Sequence, residues 1–430
     1  MILSFKTLGC KTNQFETGAL QTLLTARGHR LAEPDECAEL VIVNTCAVTA
    51  ESCRKSRSAV RKARTEHPGC MVAVCGCLSQ LSPEEVAALE ADLVAGSGDR
   101  IAFVEDLERV TTGQTAQTEI DIARDRETFE ILPAGGLEGR TRALLKIEDG
   151  CDNFCAYCIV PYARGPVRSM PLDAAVEQAS GLAREGYKEL VLTGIEISSY
   201  GKDQTTGETL IDLIEAICKA VPDLRVRLGS LEPRTVTEAF CERLGSYPNL
   251  CPHFHLSLQS GSDEVLNQMG RRYDTARYLE SLALLRRTFQ DVAVTTDLIV
   301  GFPGESEAEF DESLAFLQTC AFASVHVFPY SERTGTKAAD LPNQIPKADR
   351  TRRAKQAGEM AKALQQNWLR AQIGKTMPVL FETTENGKSQ GHTPNYCPVI
   401  VSIGGLENQV RTVTICGQSG AQLIGEIVEK

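Results

Sequence analysis

Three cysteines stand close together in Cys151-Asp152-Asn153-Phe154-Cys155-Ala156-Tyr157-Cys158, spaced C-x3-C-x2-C. Thiolate is the soft ligand that iron–sulfur chemistry selects. A cubane cluster has four irons, so three cysteines leave one iron open to a further ligand. Structural zinc is the competing reading. It takes four ligands, usually in two pairs, and no fourth Cys or His lies within this loop. Leu144-Leu145-Lys146-Ile147 reads as a strand running into the loop, and Arg164-Gly165-Pro166-Val167-Arg168 closes it.

A second set of cysteines is dispersed. Cys10 lies in Gly9-Cys10-Lys11-Thr12-Asn13-Gln14, Cys46 in Asn44-Thr45-Cys46-Ala47-Val48, and Cys77 in Gly76-Cys77-Leu78-Ser79-Gln80. Stepping outward to the elements around them, strands are expected at 2–8, 40–44, 71–75 and 92–95, and helices at 14–28, 50–63 and 83–89, the last after an N-cap Ser82. Strands alternating with helices imply a parallel sheet. Each of these cysteines then follows a strand, at the sheet edge where ligands bind in such folds. Three thiols there can converge on one site despite their wide spacing. Taken singly, each is as well explained as an ordinary buried thiol. Cys75 competes with Cys77 for the third place; Cys77 is preferred because it lies beyond Gly76, outside the strand. Cys37, Cys53 and Cys70 lack a comparable setting.

The C-x3-C-x2-C loop, with an aromatic before its third cysteine, resembles the radical S-adenosylmethionine superfamily. With the three dispersed motifs added, the chain resembles the methylthiotransferase family over essentially its whole length. That resemblance implies two 4Fe–4S clusters and S-adenosylmethionine as cofactors. Cys10, Cys46 and Cys77 would hold an auxiliary cluster. Cys151, Cys155 and Cys158 would hold the cluster whose open iron takes the amino and carboxylate groups of S-adenosylmethionine. One S-adenosylmethionine donates a methyl group to sulfur; a second is cleaved to a 5′-deoxyadenosyl radical. A radical is needed because an unactivated aromatic C–H lacks usable acidity.

Further along, six strands are expected at 143–147, 189–193, 225–229, 253–258, 293–300 and 324–328, with helices at 171–185, 210–219, 274–288 and 305–320. Six βα units predict an open (βα)6 barrel, with the site at the strand C-termini. By resemblance, Tyr157, Gly194, Gln259, Ile299 and Phe328 would contact S-adenosylmethionine, and Glu196 would have a polar role there. Gly194 is equally readable as a turn residue. His253 and His255 share one strand face, which is either core or barrel lining.

Residues 347–372 have helical periodicity, with Ala354, Met360, Ala361, Leu364 and Trp368 on a partial apolar face. Between Lys347 and Lys375, eight basic side chains stand against two acidic ones, in a chain of net charge −12. A solvated helix face is the bland explanation. Phosphate binding by Arg350, Arg352, Arg353, Lys355 and Lys375 is the expectation favoured here. Short strands at 377–382, 398–403, 409–415 and 422–428 suggest a small antiparallel barrel. It resembles the TRAM domain, an OB-like RNA-binding module.

The expected organisation is therefore α/β. Residues 1–110 form a parallel α/β domain, 111–140 a linker with one strand near 128–132, and 141–345 a partial (βα)6 radical domain. Residues 346–372 form a basic helix and 373–430 a small β-barrel. Sixteen cysteines in 430 residues without a signal-like N-terminus suggest a reducing compartment and metal binding. No apolar run is long enough to span a bilayer, so a cytoplasmic protein without a membrane partner is expected. Within the family, 190–201, 252–261 and 326–331 resemble the branch acting on N6-threonylcarbamoyladenosine at position 37 of tRNA, in the anticodon loop. That branch converts C2–H to C2–SCH3. Isopentenyladenosine in tRNA, an aspartate of a ribosomal protein, and a non-enzymatic iron–sulfur redox sensor are the alternatives. The resemblance also implies an electron donor such as flavodoxin or ferredoxin; it leaves the sulfur donor open.

Overall fold

The computed structural model describes residues 1–117, 119–135 and 141–428. Its N-terminal part is a five-stranded parallel sheet, in the order Arg30–Leu31, Ile2–Thr7, Leu40–Thr45, Met71–Gly76, Leu93–Val94. Leu40–Thr45 is buried along its whole length, as a parallel strand covered on both faces must be. The pleat divides the apolar residues between two layers. Val41, Val43, Val72 and Val74 face one, with Cys53, Val60 and Ala63 of the helix Ala50–Glu66. Leu40, Ile42, Ala73 and Cys75 face the other, with Leu20 and Leu24 of the helix Lys11–Thr25 and Phe103 of the helix Arg100–Thr111.

Three local expectations change. The first helix begins at Lys11 rather than three residues later, because Cys10 takes the extended N-cap position. Ser82 precedes the helix Pro83–Ala87 but makes no side-chain cap hydrogen bond. In the connecting segment the structure forms one turn, Ala123–Asp125, and no strand near 128–132. Gly136, counted among its turn residues, lies outside the described residues.

The central part is an arc of six parallel strands: Arg142–Lys146, Glu189–Thr193, Arg225–Leu228, His253–Leu256, Ala293–Val300 and Ser324–Pro329. The third strand breaks at Gly229 and resumes as Ser230–Leu231, which pairs with the fourth. Among the described residues the first and last strands do not pair, so the arc stays open. Helices Leu172–Arg184, Leu210–Ala220, Thr275–Thr288 and Glu307–Cys320 cover its outside, with Leu213, Ile217, Leu282 and Leu317 buried against it. A two-residue ribbon pairs Glu148–Asp149 with Arg168–Ser169 and closes the base of the C-x3-C-x2-C loop.

The helix Lys347–Arg370 then lays Ala357 and Ala361 on the arc and Leu369 on a closed five-stranded barrel. The barrel strands are Thr376–Glu385, Lys388–His392, Pro398–Val401, Gln422–Ile427 and Val410–Ser419. The pattern predicted four of these; Lys388–His392 is the addition. One pair, Pro398–Val401 with Gln422–Ile427, is parallel, so the barrel is not wholly antiparallel.

This barrel docks where the arc strands begin. Arg225 donates to the carbonyls of His392 (3.1 Å) and Pro378 (3.0 Å), and Arg227 to that of Pro394 (2.9 Å). Arg142 pairs with Glu382 at 2.9 Å. Among the described residues no helix is long and apolar enough to cross a membrane.

Candidate active site

Cys10, Cys46 and Cys77 come together. They follow three adjacent parallel strands and line one cavity of about 680 Å³. Asn13 ties their loops. Its Nδ2 donates to the carbonyls of Leu8 (2.8 Å) and Thr45 (2.9 Å), and its Oδ1 accepts from the Cys10 thiol at 3.6 Å. Ser56 holds the backbone of Cys46 through two bonds of 3.1 Å. Gly76, at φ +107°, turns the chain from strand to Cys77; a Cβ there would lie 2.5 Å from the Thr45 carbonyl. Cys75 points instead into the layer with Leu3 and Phe103, which removes it as a competitor.

Burial raises the Cys46 thiol and pushes Cys77 up to about 12. Arg164 donates from Nε to the Cys77 sulfur at 3.4 Å, the kind of outer bond that steadies a metal-bound thiolate. Among the described residues no group of three or more His, Cys, Asp or Glu is drawn in tightly enough to chelate one metal ion. A cubane makes no such demand, because each cysteine binds a different iron and the sulfurs stand correspondingly further apart. Converging thiols, a roomy cavity and a cationic donor to sulfur fit a cluster with one open iron.

The second set sits in the loop after Arg142–Lys146. The Cys151 N–H donates to the Gly165 carbonyl at 3.0 Å, and the Ala156 N–H to that of Met269 at 2.8 Å. Arg271 donates to the Cys155 sulfur at 3.1 Å. Burial pushes the Cys151 thiol up, and the Cys158 thiol to about 12. Metal binding to such thiols must release their protons.

Tyr157, Gln259, Ile299 and Phe328, far apart in the chain, line one smaller cavity of about 240 Å³ together with Cys158. Gly194 is not among them; it lines the larger cavity. A Cβ on it would lie 2.6 Å from Glu148 Oε2. That oxygen accepts the N–H groups of Ile195 (2.9 Å) and Glu196 (2.8 Å), so Gly194 lets the turn wrap around a buried carboxylate. Glu196 lines neither cavity. Burial raises its carboxyl, and Arg271 opposes the rise. The two cavities share Val48, Val160 and Asp297 as wall, so the first cysteine set and Cys158 of the second open on adjoining spaces.

His253 and His255 both line the larger cavity, joined by His326 and His392. His255 lies 3.4 Å from Asp297, and both His253 and His255 contact the Thr295 hydroxyl. Tyr396 stacks on His392 at the far end, with ring centroids 4.7 Å apart.

One residue of the basic helix is a correction. Arg353 is 3% exposed and pairs with Glu305 and Glu307 at 2.6 Å each, so it braces the helix against the arc and no phosphate reaches it. Arg350 donates to the Tyr330 carbonyl, Arg352 pairs with Glu307, and Lys375 with Asp291. Lys355 is exposed.

Comparison with known proteins adds the following. Residues 145–317 match the Radical SAM superfamily, and residues 3–96 match the uncharacterized protein family UPF0004. The threonylcarbamoyladenosine tRNA methylthiotransferase MtaB of Thermotoga maritima is 36% identical, over 88% of this chain and 86% of its own. That of Bacillus subtilis is 34% identical, over 93% and 90%. The tRNA-2-methylthio-N(6)-dimethylallyladenosine synthase of Oleidesulfovibrio alaskensis is 35% identical, over 90% and 84%. Among solved structures, the radical S-adenosylmethionine methyltransferase TsrM of Kitasatospora setae, with cobalamin and a [4Fe-4S] cluster bound, shares the fold. Its TM-score is 0.58 at 14% identity, covering 79% of this chain and 73% of that one. Full-length similarity at this level, with both cysteine sets in place, means that the chain belongs to the methylthiotransferase family of radical S-adenosylmethionine proteins.

Proposed function

We propose that this chain converts N6-threonylcarbamoyladenosine at position 37 of tRNA into its 2-methylthio form. One observation carries the reading: the cavity of Cys10, Cys46 and Cys77 and the cavity that Cys158 lines share the wall Val48, Val160 and Asp297. The names of the relatives most similar over the whole chain support the threonylcarbamoyl substrate.

Two 4Fe–4S clusters and S-adenosylmethionine are the cofactors, Cys10, Cys46 and Cys77 holding one cluster and Cys151, Cys155 and Cys158 the other; bound there, they would relay an electron and supply the radical and the methylthio group. The chain's residues do the positioning. Asn13 and Ser56 fix the backbones that carry Cys10 and Cys46, and Arg271 steadies Cys155. Tyr157, Ile299 and Phe328 give the smaller cavity largely apolar walls. A base in an anticodon loop is already unpaired, so drawing it in costs less than flipping it from a duplex. Lys355, on the exposed helix face, is the phosphate contact this reading retains. The electron comes from a small redox protein such as a flavodoxin or ferredoxin, in the cytoplasm.

Nucleoside mass spectrometry of tRNA from cells lacking the protein tests this. The 2-methylthio nucleoside should vanish and N6-threonylcarbamoyladenosine accumulate. A second reading, isopentenyladenosine as substrate, rests on the synthase that is 35% identical. Loss of the 2-methylthio-isopentenyl nucleoside alone would establish it instead.

A further inference from the structure

Lys11 follows Cys10 directly and lines two spaces at once. One is the cavity of Cys10, Cys46 and Cys77. The other is a cleft of about 420 Å³ lined by Lys11, Gln14, Arg142, Glu382 and Tyr396, where the N-terminal domain, the first arc strand and the C-terminal barrel meet. The neighbouring arginines are already matched. Arg142 is held by Glu382 and Tyr396 (3.0 Å), and Arg227 grips Glu189 through two bonds of 2.6 and 2.9 Å. Asp297, 3.4 Å from His255, lines the same cavity and with Glu189 acts on Lys11 from a distance, without contact. Among the described residues Lys11 has no hydrogen-bonded or ion-paired partner, although its side chain is exposed to the cavity. The first turn of its helix carries no acidic side chain. A cation set in a walled site without its counter-ion is placed for an anion that arrives with a ligand.

The chemistry of the substrate supplies one. In adenine, C2 and the N6 substituent lie on the same edge, with N1 between C2 and the C6 that carries N6. When C2 is brought to the cysteine set, the N6 substituent must extend alongside it. Consecutive Cα atoms are about 3.8 Å apart, so the Lys11 stem starts beside Cys10 and has a four-carbon reach. An isopentenyl substituent is neutral and offers this ammonium nothing; a threonylcarbamoyl substituent ends in a carboxylate. We infer that Lys11 is the specificity-determining residue that recognises the carboxylate of an anionic N6 substituent on the target adenosine. This rests on the proposed reaction and deepens it.

The test uses the full-length protein with its clusters assembled anaerobically. The probes are anticodon stem-loop RNAs carrying N6-threonylcarbamoyladenosine, its neutral carboxamide analogue, or isopentenyladenosine at the target position. Binding is read by fluorescence anisotropy. The wild-type protein should bind the carboxylate RNA at least about tenfold more tightly than the carboxamide RNA, as close charge pairs in interfaces do. Lys11→Met should bring that ratio close to one, and Lys11→Arg should restore a preference for the carboxylate. A wild-type ratio near one overturns the inference without any variant, which covers the case in which Lys11→Met fails to hold iron. So does a Lys11→Met protein that keeps the wild-type ratio. If the wild-type enzyme methylthiolates only the isopentenyladenosine RNA, the parent reading fails and takes this one with it. If it converts the threonylcarbamoyl RNA while the ratio ignores Lys11, only this inference fails.

Discussion

Arg164 Nε lies 3.4 Å from Cys77 Sγ. Arg164 ends the short helix Val160–Arg164 that follows Cys158, whereas Cys77 belongs to the N-terminal domain. One side chain therefore joins the segment of one cysteine set to a ligand of the other. The same guanidinium donates to Asn13 at 2.7 Å and to Glu16. Glu16 also takes Arg100 at 2.8 Å and Lys146 at 3.4 Å, all fully buried or nearly so. These cations hold the Glu16 carboxyl well below its ordinary range despite its burial.

Replacing Arg164 by Met removes one arm of this buried network and the donor to Cys77. The expected cost is about 3–5 kcal/mol of stability, the range for breaking a buried ion pair from one side. Urea unfolding measures it. Iron content after reconstitution should fall with it, and Arg164→Lys should recover part of both. An Arg164→Met protein as stable and as iron-rich as wild type would show that the network is incidental.

The two cysteine sets should be separable by iron counting. Changing Cys10, Cys46 and Cys77 together to Ala should leave about half of the wild-type iron and abolish the methylthio product, since each cubane is held by its own three thiolates. Changing Cys151, Cys155 and Cys158 should also halve the iron, and reductive cleavage of S-adenosylmethionine should cease. Loss of all iron from either triple variant would argue for one site rather than two.

Arg353 and Lys355 lie two residues apart and should behave in opposite ways. Arg353→Gln leaves Glu305 buried without its cation and should cost about 3 kcal/mol, with little change in how RNA affinity depends on salt. Lys355→Gln should barely alter stability. It should lower the salt slope of RNA binding by close to one phosphate contact, about 0.7–0.9 in log–log terms.

Asp212 caps the helix Leu210–Ala220 through a reciprocal box with Thr209, and Arg243 adds a contact at 2.8 Å. Burial alone would raise its carboxyl; the Thr209 bonds and Arg243 outweigh it and bring the group to about 2. A carboxyl lowered in the folded state stabilises above its unfolded value, and the benefit is lost as pH falls through the folded value. Asp212→Asn should therefore cost about 1 kcal/mol at neutral pH. The gap from wild type should close between roughly pH 4 and pH 2. Denaturation midpoints across that range check it.

Much of the site was legible because thiols at strand ends carry a positional signal that local sequence displays. Cys10, Cys46 and Cys77 each follow an apolar run, and parallel topology does the rest. Tyr157, Gln259, Ile299 and Phe328 were reachable only by resemblance, since nothing local distinguishes them from core. Gly194 lines the larger cavity, and the room its missing Cβ leaves for Glu148 is a second role that its sequence context does not display. The Glu16–Arg100–Arg164–Lys146 network stayed invisible, because a buried charge and a solvated one look alike in sequence until their partners, up to 148 positions away, are known. For the same reason Arg353 reads in sequence as a phosphate ligand. The strand Lys388–His392 has no apolar alternation to reveal it; its pairing with both neighbours defines it.

The larger cavity has a floor that does not belong to the catalytic arc. Asn395, Tyr396, Cys397 and Pro398 of the C-terminal barrel line the same space as Cys10, Cys46 and Cys77. The barrel is thus a component of the reaction chamber rather than an appendage tethered to it. A load applied to its outer surface by a bound macromolecule passes through Arg142, Arg225 and Arg227 to two arc strands, the first and the third. Seating of the large substrate and the shape of the chamber then become a single mechanical variable.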